Sequence, residues 1–76
     1  MSWYDVEDTL YDGTEEEMNK LSCPDCRGAI AVKYDAETQA MQVECKSCGH
    51  IERSHGGDIP NFYNIFGKEK EFHYRS

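Results

Sequence analysis

Long apolar runs are missing from this 76-residue sequence; none exceeds Ala29-Ile30-Ala31-Val32. About 20 apolar residues are needed to span a bilayer as a helix, so no transmembrane helix is expected. The opening Met1-Ser2-Trp3-Tyr4-Asp5 has no basic stretch, apolar segment or small-residue cleavage site, so no signal peptide is expected ahead of the cysteines. The expected compartment is therefore the reducing cytoplasm, where paired cysteines serve as metal ligands more often than as disulfides. Basic side chains are scarce, 8 against 15 acidic ones, which gives a formal net charge of −7. Such a field repels phosphate backbones, and duplex nucleic-acid binding is disfavoured. A glycine-rich phosphate loop and a recognisable nucleophile arrangement are both lacking, so the chain is not expected to be an enzyme.

A chain of this length is expected to form one domain, and its small core calls for a staple. Three regions are expected within it: an acidic N-terminal arm over residues 1–21, a cysteine-bearing ribbon over 22–53, and an aromatic segment over 54–76. The arm holds seven acids (Asp5, Glu7, Asp8, Asp12, Glu15, Glu16, Glu17) against Lys20 alone, nearly the whole acidic excess. Its first twelve residues mix Trp3, Tyr4, Val6, Leu10 and Tyr11 with acids in no clean period, and no element is assigned to them. Thr14-Glu15-Glu16-Glu17 has the form of a capping box and predicts a short helix over 15–21, with Met18 and Leu21 facing the ribbon.

Further along, period-2 alternation predicts two strands. Ile30, Val32 and Tyr34 share one face of the first, and Met41 and Val43 share one face of the second. Asp35-Ala36-Glu37-Thr38-Gln39 joins them as a hairpin, its acids read as ordinary turn polarity. A third strand is expected over Gly49–Arg53, and Gly56-Gly57 is expected to break the chain. Asp58 is expected to cap a helical turn that starts near Pro60 and ends at Gly67, placing Phe62, Ile65 and Phe66 on one face. The aromatics on both flanks are expected to pack on the hairpin face that carries Ile30, Val32, Met41 and Val43. The charge-alternating Lys68-Glu69-Lys70-Glu71, ahead of Phe72, His73, Tyr74 and Arg75, receives no element.

The chemistry resides in the cysteines. Cys23-Pro24-Asp25-Cys26 and Cys45-Lys46-Ser47-Cys48 form the motif C-x2-C-x18-C-x2-C. Two cysteines three apart point both sulfurs at one ion across a tight turn, and the hairpin between the pairs brings the second turn beside the first. Gly28 and Gly49 follow the pairs where positive φ is expected to aim backbone amides at the sulfurs.

These two knuckles, over residues 22 to about 53, resemble those of the zinc-ribbon family within the rubredoxin-like fold. The resemblance implies a small, metal-stapled, mainly β fold. By it, Cys23, Cys26, Cys45 and Cys48 are the ligands of one structural zinc per chain. One departure is Arg27, where the family places glycine directly after the second ligand. Iron is the alternative metal, since tetrahedral sulfur suits both. A redox dithiol is the weaker reading of the same pairs, because no βαβ pattern surrounds them. His50, His55 and His73 are read as loop histidines, because four thiolates already saturate zinc.

Three functions follow from this composition. The first is a protein-interaction or regulatory module, whose acidic arm offers a surface to a protein partner or mimics nucleic acid toward a basic groove. The second is a transcription-associated ribbon that stacks single strands on aromatics near Lys68, Lys70 and Arg75. The third is a rubredoxin-like iron electron carrier.

Overall fold

The computed structural model describes residues 2–55 and 58–73. The expected break at Gly56-Gly57 and the tail residues Tyr74 and Arg75 lie outside the described residues. Seven elements follow in order: α1 (Trp3–Asp12), α2 (Glu15–Met18), β1 (Ile30–Asp35), β2 (Ala40–Cys45), β3 (Ile51–His55), α3 (Asn61–Phe66) and β4 (Glu69–Phe72). The strands form one antiparallel sheet in the order β3-β2-β1-β4. The fold is thus small and mainly β, with three short helices.

The expected hairpin is present. Val32 lies opposite Val43, and Tyr34 opposite Met41. Directly opposed residues project to the same side of a sheet, so the two alternating runs build one apolar face. Asp35 Oδ1 accepts a 2.9 Å bond from the Glu37 amide, which makes the tip acid a turn-forming group, as read from its position. Gln39 completes the turn at φ 57. The third strand is displaced two residues along the chain from Gly49–Arg53, because residues 45–50 are spent on the turn between β2 and β3.

Two elements carry no assignment from the sequence. The first is α1, where Ser2 Oγ accepts from the Asp5 amide at 3.4 Å and the Asp5 carboxylate accepts from the Ser2 amide at 2.9 Å, a capping box with aspartate in place of glutamate. Only Val6 and Leu10 are fully buried along α1, one turn apart, so its apolar stripe is too narrow to stand out among the half-buried Trp3 and Tyr11 and the exposed Tyr4. The second is β4. Its Glu69-Lys70-Glu71 alternation is that of an edge strand, and it pairs with β1 so that Phe72 lies opposite Ile30.

Two expectations are corrected. The helix expected over 15–21 stops at Met18. The Lys20 and Leu21 amides bond three residues back, to Glu17 and Met18, as the chain turns toward Cys23. Asp58 does not cap α3; Pro60 holds the N-cap position, with φ −67 and ψ 146 and no side-chain cap. The helix itself ends at Gly67 as expected.

All three helices contribute to a single core with the apolar sheet face: Val6, Leu10, Met18, Leu21, Cys23, Ile30, Val32, Tyr34, Met41, Val43, Cys45, Phe62 and Phe72. Trp3, Tyr11, Tyr63, Ile65 and Phe66 pack against it. The flanking aromatics therefore mostly form core, as their sequence context implies. Asn61 Nδ2 donates a 2.6 Å bond to the Gly13 carbonyl and fastens α3 to the end of α1.

Candidate metal centre

Each cysteine pair sits in a turn, and the two turns are built alike. In the first, the Cys23 amide donates to the Gly28 carbonyl at 3.0 Å and the Arg27 amide donates to the Cys23 carbonyl at 2.8 Å. In the second, the Cys45 amide donates to His50 at 2.8 Å and the Gly49 amide donates to Cys45 at 3.1 Å. The correspondence extends to backbone conformation, with Arg27 at φ 61 and Gly49 at φ 77. Positive φ after the second cysteine was expected at Gly28 and Gly49; in the first turn Arg27 takes it, because the turn reverses directly after Cys26. Gly28 serves a different purpose. A Cβ there would press on Ser47 Oγ and come within 2.7 Å of Ser47 Cβ and 3.3 Å of Cys26 Sγ, so the absent side chain lets the two turns close on each other.

The result is a cluster in which the four Sγ atoms of Cys23, Cys26, Cys45 and Cys48 all lie within 4.8 Å of one another. Two of the separations bridge the turns: 3.4 Å for Cys26 to Cys45 and 3.8 Å for Cys23 to Cys48. None of the four forms a disulfide. A regular tetrahedron with metal–sulfur bonds of about 2.3 Å has edges of about 3.8 Å, so the spacing and the all-sulfur donor set fit a tetrahedral metal ion. Cys23 and Cys45 are buried, while Cys26 and Cys48 face solvent. These four cysteines, singled out by their spacing, are thus brought together and arranged to bind a metal ion.

Backbone amides surround the sulfurs. Cys26 N–H points at Cys23 Sγ at 3.5 Å, and the amides of Ser47 and Cys48 point at Cys45 Sγ at 3.4 and 3.3 Å. Burial alone would raise the Cys45 thiol, but the Cys48 and Ser47 amides, with the neighbouring thiols of Cys48 and Cys26, bring it down to about 6. For Cys26 the Gly28 amide favours the thiolate, yet the sulfur of Cys45 leads the opposing effects and the thiol is pushed up to about 12. Cys48 is likewise raised: its bond from the His50 amide is outweighed by Cys45, burial and Cys23. The crowded sulfurs thus favour negative charge on Cys45, the one that accepts two backbone amides, and a bound cation would relieve the repulsion that opposes charge on its neighbours.

The histidines lie outside the sulfur cluster. His50 Nε2 is 2.7 Å from Glu52 Oε1, and the His50 ring stacks on Trp3, with centroids 4.7 Å apart and planes 21° from parallel. His55 is an exposed β3 residue, and the exposed His73 lies 3.8 Å from Glu71. Glu7 is raised above its ordinary value by burial and by the Glu52 charge.

Trp3 is the residue near the site that the sequence reading passed over. Besides stacking on His50, its indole N–H donates to Asp25 Oδ2 at 3.2 Å. It stands 20 positions before Cys23 in the sequence, and no local pattern links them.

Of the residues considered for strand stacking, Phe62, Phe66 and Phe72 pack against one another, with Lys70 Nζ 5.7 Å from the Phe66 centroid. Among the described residues, no helix is long and apolar enough to cross a membrane. Against protein-family models, curated proteins and solved structures, the chain has no match.

Proposed function

We propose that this protein is a zinc ribbon, a single domain that holds one structural Zn2+ through Cys23, Cys26, Cys45 and Cys48, and that it acts as a protein-interaction or regulatory module rather than an enzyme. The observation that carries the reading is the closed sulfur cluster, whose four sulfurs lie within 4.8 Å of one another. Four thiolates leave no coordination position for water, so the ion supplies folding energy rather than Lewis acidity. Such an ion with four thiolates carries −2 in place of the neutral thiols, taking the chain to about −9.

Two features support an interaction role. Glu15 and Glu16 are exposed on a turn that Thr14 and Glu17 fix by reciprocal capping, and Asp5, Asp8 and Asp12 are exposed along α1. The acidic arm is thus an ordered surface suited to a basic protein partner. Self-packing of Phe62, Phe66 and Phe72 removes aromatics that a strand-stacking surface would use, and so weighs against the nucleic-acid reading.

Native mass spectrometry, with metal analysis and an absorption spectrum on the same sample, tests the metal. One zinc per chain with no visible colour is expected; iron with strong visible absorption would overturn zinc in favour of electron transfer. The interaction role predicts binding to a lysine- and arginine-rich segment that weakens with salt and with Glu15→Gln/Glu16→Gln; salt-insensitive binding would count against it.

A further inference from the structure

The two cysteine turns do not stand alone at the edge of the sheet, because the first residue of α1 touches both. Trp3 donates its indole N–H to Asp25, inside the first turn, at 3.2 Å. Its ring lies flat against His50, directly after the second turn, with a centroid separation of 4.7 Å. His50 is in turn held by Glu52 of β3 at 2.7 Å. One side chain from a distant part of the sequence therefore spans the two halves of the cluster. Behind it α1 is anchored by Val6 and Leu10, both fully buried, and its start is fixed by the Ser2–Asp5 capping box.

We propose that α1 is a retaining clip for the metal centre, with Trp3 as the positioning residue that holds the Cys23–Cys26 and Cys45–Cys48 turns together and slows metal release. This rests on the reading of the four cysteines as the metal ligands. The physical basis has two parts. Two of the four cysteines, Cys26 and Cys48, face solvent, and an outward swing of either turn would carry its sulfurs off the ion. Trp3 opposes that swing in both turns at once. It also ties down Asp25, an acid that would otherwise be driven off by a nearby thiolate cluster of net charge −2. Groups around a metal's direct ligands that orient them commonly change metal affinity by about 10- to 100-fold when removed. The coupling is reciprocal at equilibrium: whatever pries α1 from the turns weakens metal affinity by the same factor by which the metal favours the docked α1.

The test loads the full chain with cobalt(II), whose thiolate bonds absorb visibly, challenges it with excess EDTA, and follows the bleaching. Trp3 is the sole tryptophan, so its emission reports the same event from the clip. Release is expected about 10-fold faster in Trp3→Ala. Trp3→Phe, which keeps a ring over His50 and loses the donor, is expected between wild type and Trp3→Ala. Tyr63→Ala is the control, since Tyr63 packs from α3 on the core and on Tyr34, at the end of β1 away from the cysteine turns; its release rate is expected to stay near wild type. Equal rates in wild type and Trp3→Ala would overturn the clip while leaving the metal reading intact, as would a Tyr63→Ala protein that loses metal as fast as Trp3→Ala. If Trp3→Ala does not fold, Trp3→Phe decides alone, by releasing metal faster than wild type or not. A wild-type chain that takes up neither cobalt nor zinc would overturn clip and metal reading together.

Discussion

Arg27 and Gly49 occupy equivalent places in two turns built alike, at φ 61 and φ 77, yet only one of them is glycine. A left-handed conformation costs an ordinary L-residue about 1–2 kcal/mol, because its Cβ crowds the following carbonyl. Glycine avoids that cost and loses about 0.5–1 kcal/mol more backbone entropy on folding. Exchanging Arg27 for glycine should therefore stabilise the protein by about 0.5–1 kcal/mol, and exchanging Gly49 for alanine should destabilise it by a similar amount. The comparison is clean on both sides. Arg27 is exposed and forms no hydrogen bond or ion pair through its side chain among the described residues, and a Cβ on Gly49 meets nothing within 4 Å. For a domain of this size the predicted change corresponds to a shift of about 2–8 °C in Tm, up for Arg27→Gly and down for Gly49→Ala. Thermal denaturation followed by Trp3 emission would measure it, at a free zinc concentration held by a metal buffer so that ligand linkage is equal in all samples. An Arg27→Gly protein no more stable than wild type would refute the reasoning.

Two further outcomes follow from the same site. Gly28→Ala should weaken metal binding about tenfold, since the added Cβ would lie 2.7 Å from Ser47 Cβ and force the turns apart; Ser47→Gly in the same chain should restore it, and chelator competition that shows no restoration would sink the close-approach argument. Glu7 is raised from its ordinary 4.5 by burial and then by Glu52, so the folded chain binds its proton more tightly than the unfolded chain does. Its contribution to stability is therefore greatest at low pH and falls as pH rises through the raised value. Glu7→Gln should stabilise the protein at neutral pH, with a gain that shrinks as the pH falls toward the ordinary value of 4.5; chemical denaturation that finds the same gain at both would contradict this assignment.

How far the sequence could be read depended on whether a residue's role was local. The hairpin was legible because period-2 alternation in Ile30–Tyr34 and Met41–Val43 leaves only one register that buries a continuous apolar face. The Thr14 cap was legible because it is closed within four residues. Helix α1 was not. Its capping box uses Asp5, and its buried stripe is two residues wide, so the helix becomes evident only when Val6 and Leu10 meet the core. Strand β4 was hidden in the same way, since alternating lysine and glutamate suit a solvated tail equally well until β1 offers an edge to pair with.

The candidate site divides along the same line. Two C-x2-C pairs flanking a hairpin are enough to say which four side chains can converge, because a three-residue spacing fixes the sulfurs within one tight turn and the hairpin fixes the distance between turns. Tertiary structure decided what surrounds them. Arg27 took the left-handed position because the first turn reverses one residue before its glycine, and Gly28 was kept free of a side chain by Ser47, a neighbour 19 positions away. Trp3 reached Asp25 and His50 because α1 packs back across the sheet, a contact set by burial of Val6 and Leu10 and by nothing in the residues around Trp3 itself. Short-range geometry is written in spacing and periodicity, whereas contacts between distant segments arise only when the apolar faces of those segments are buried against each other.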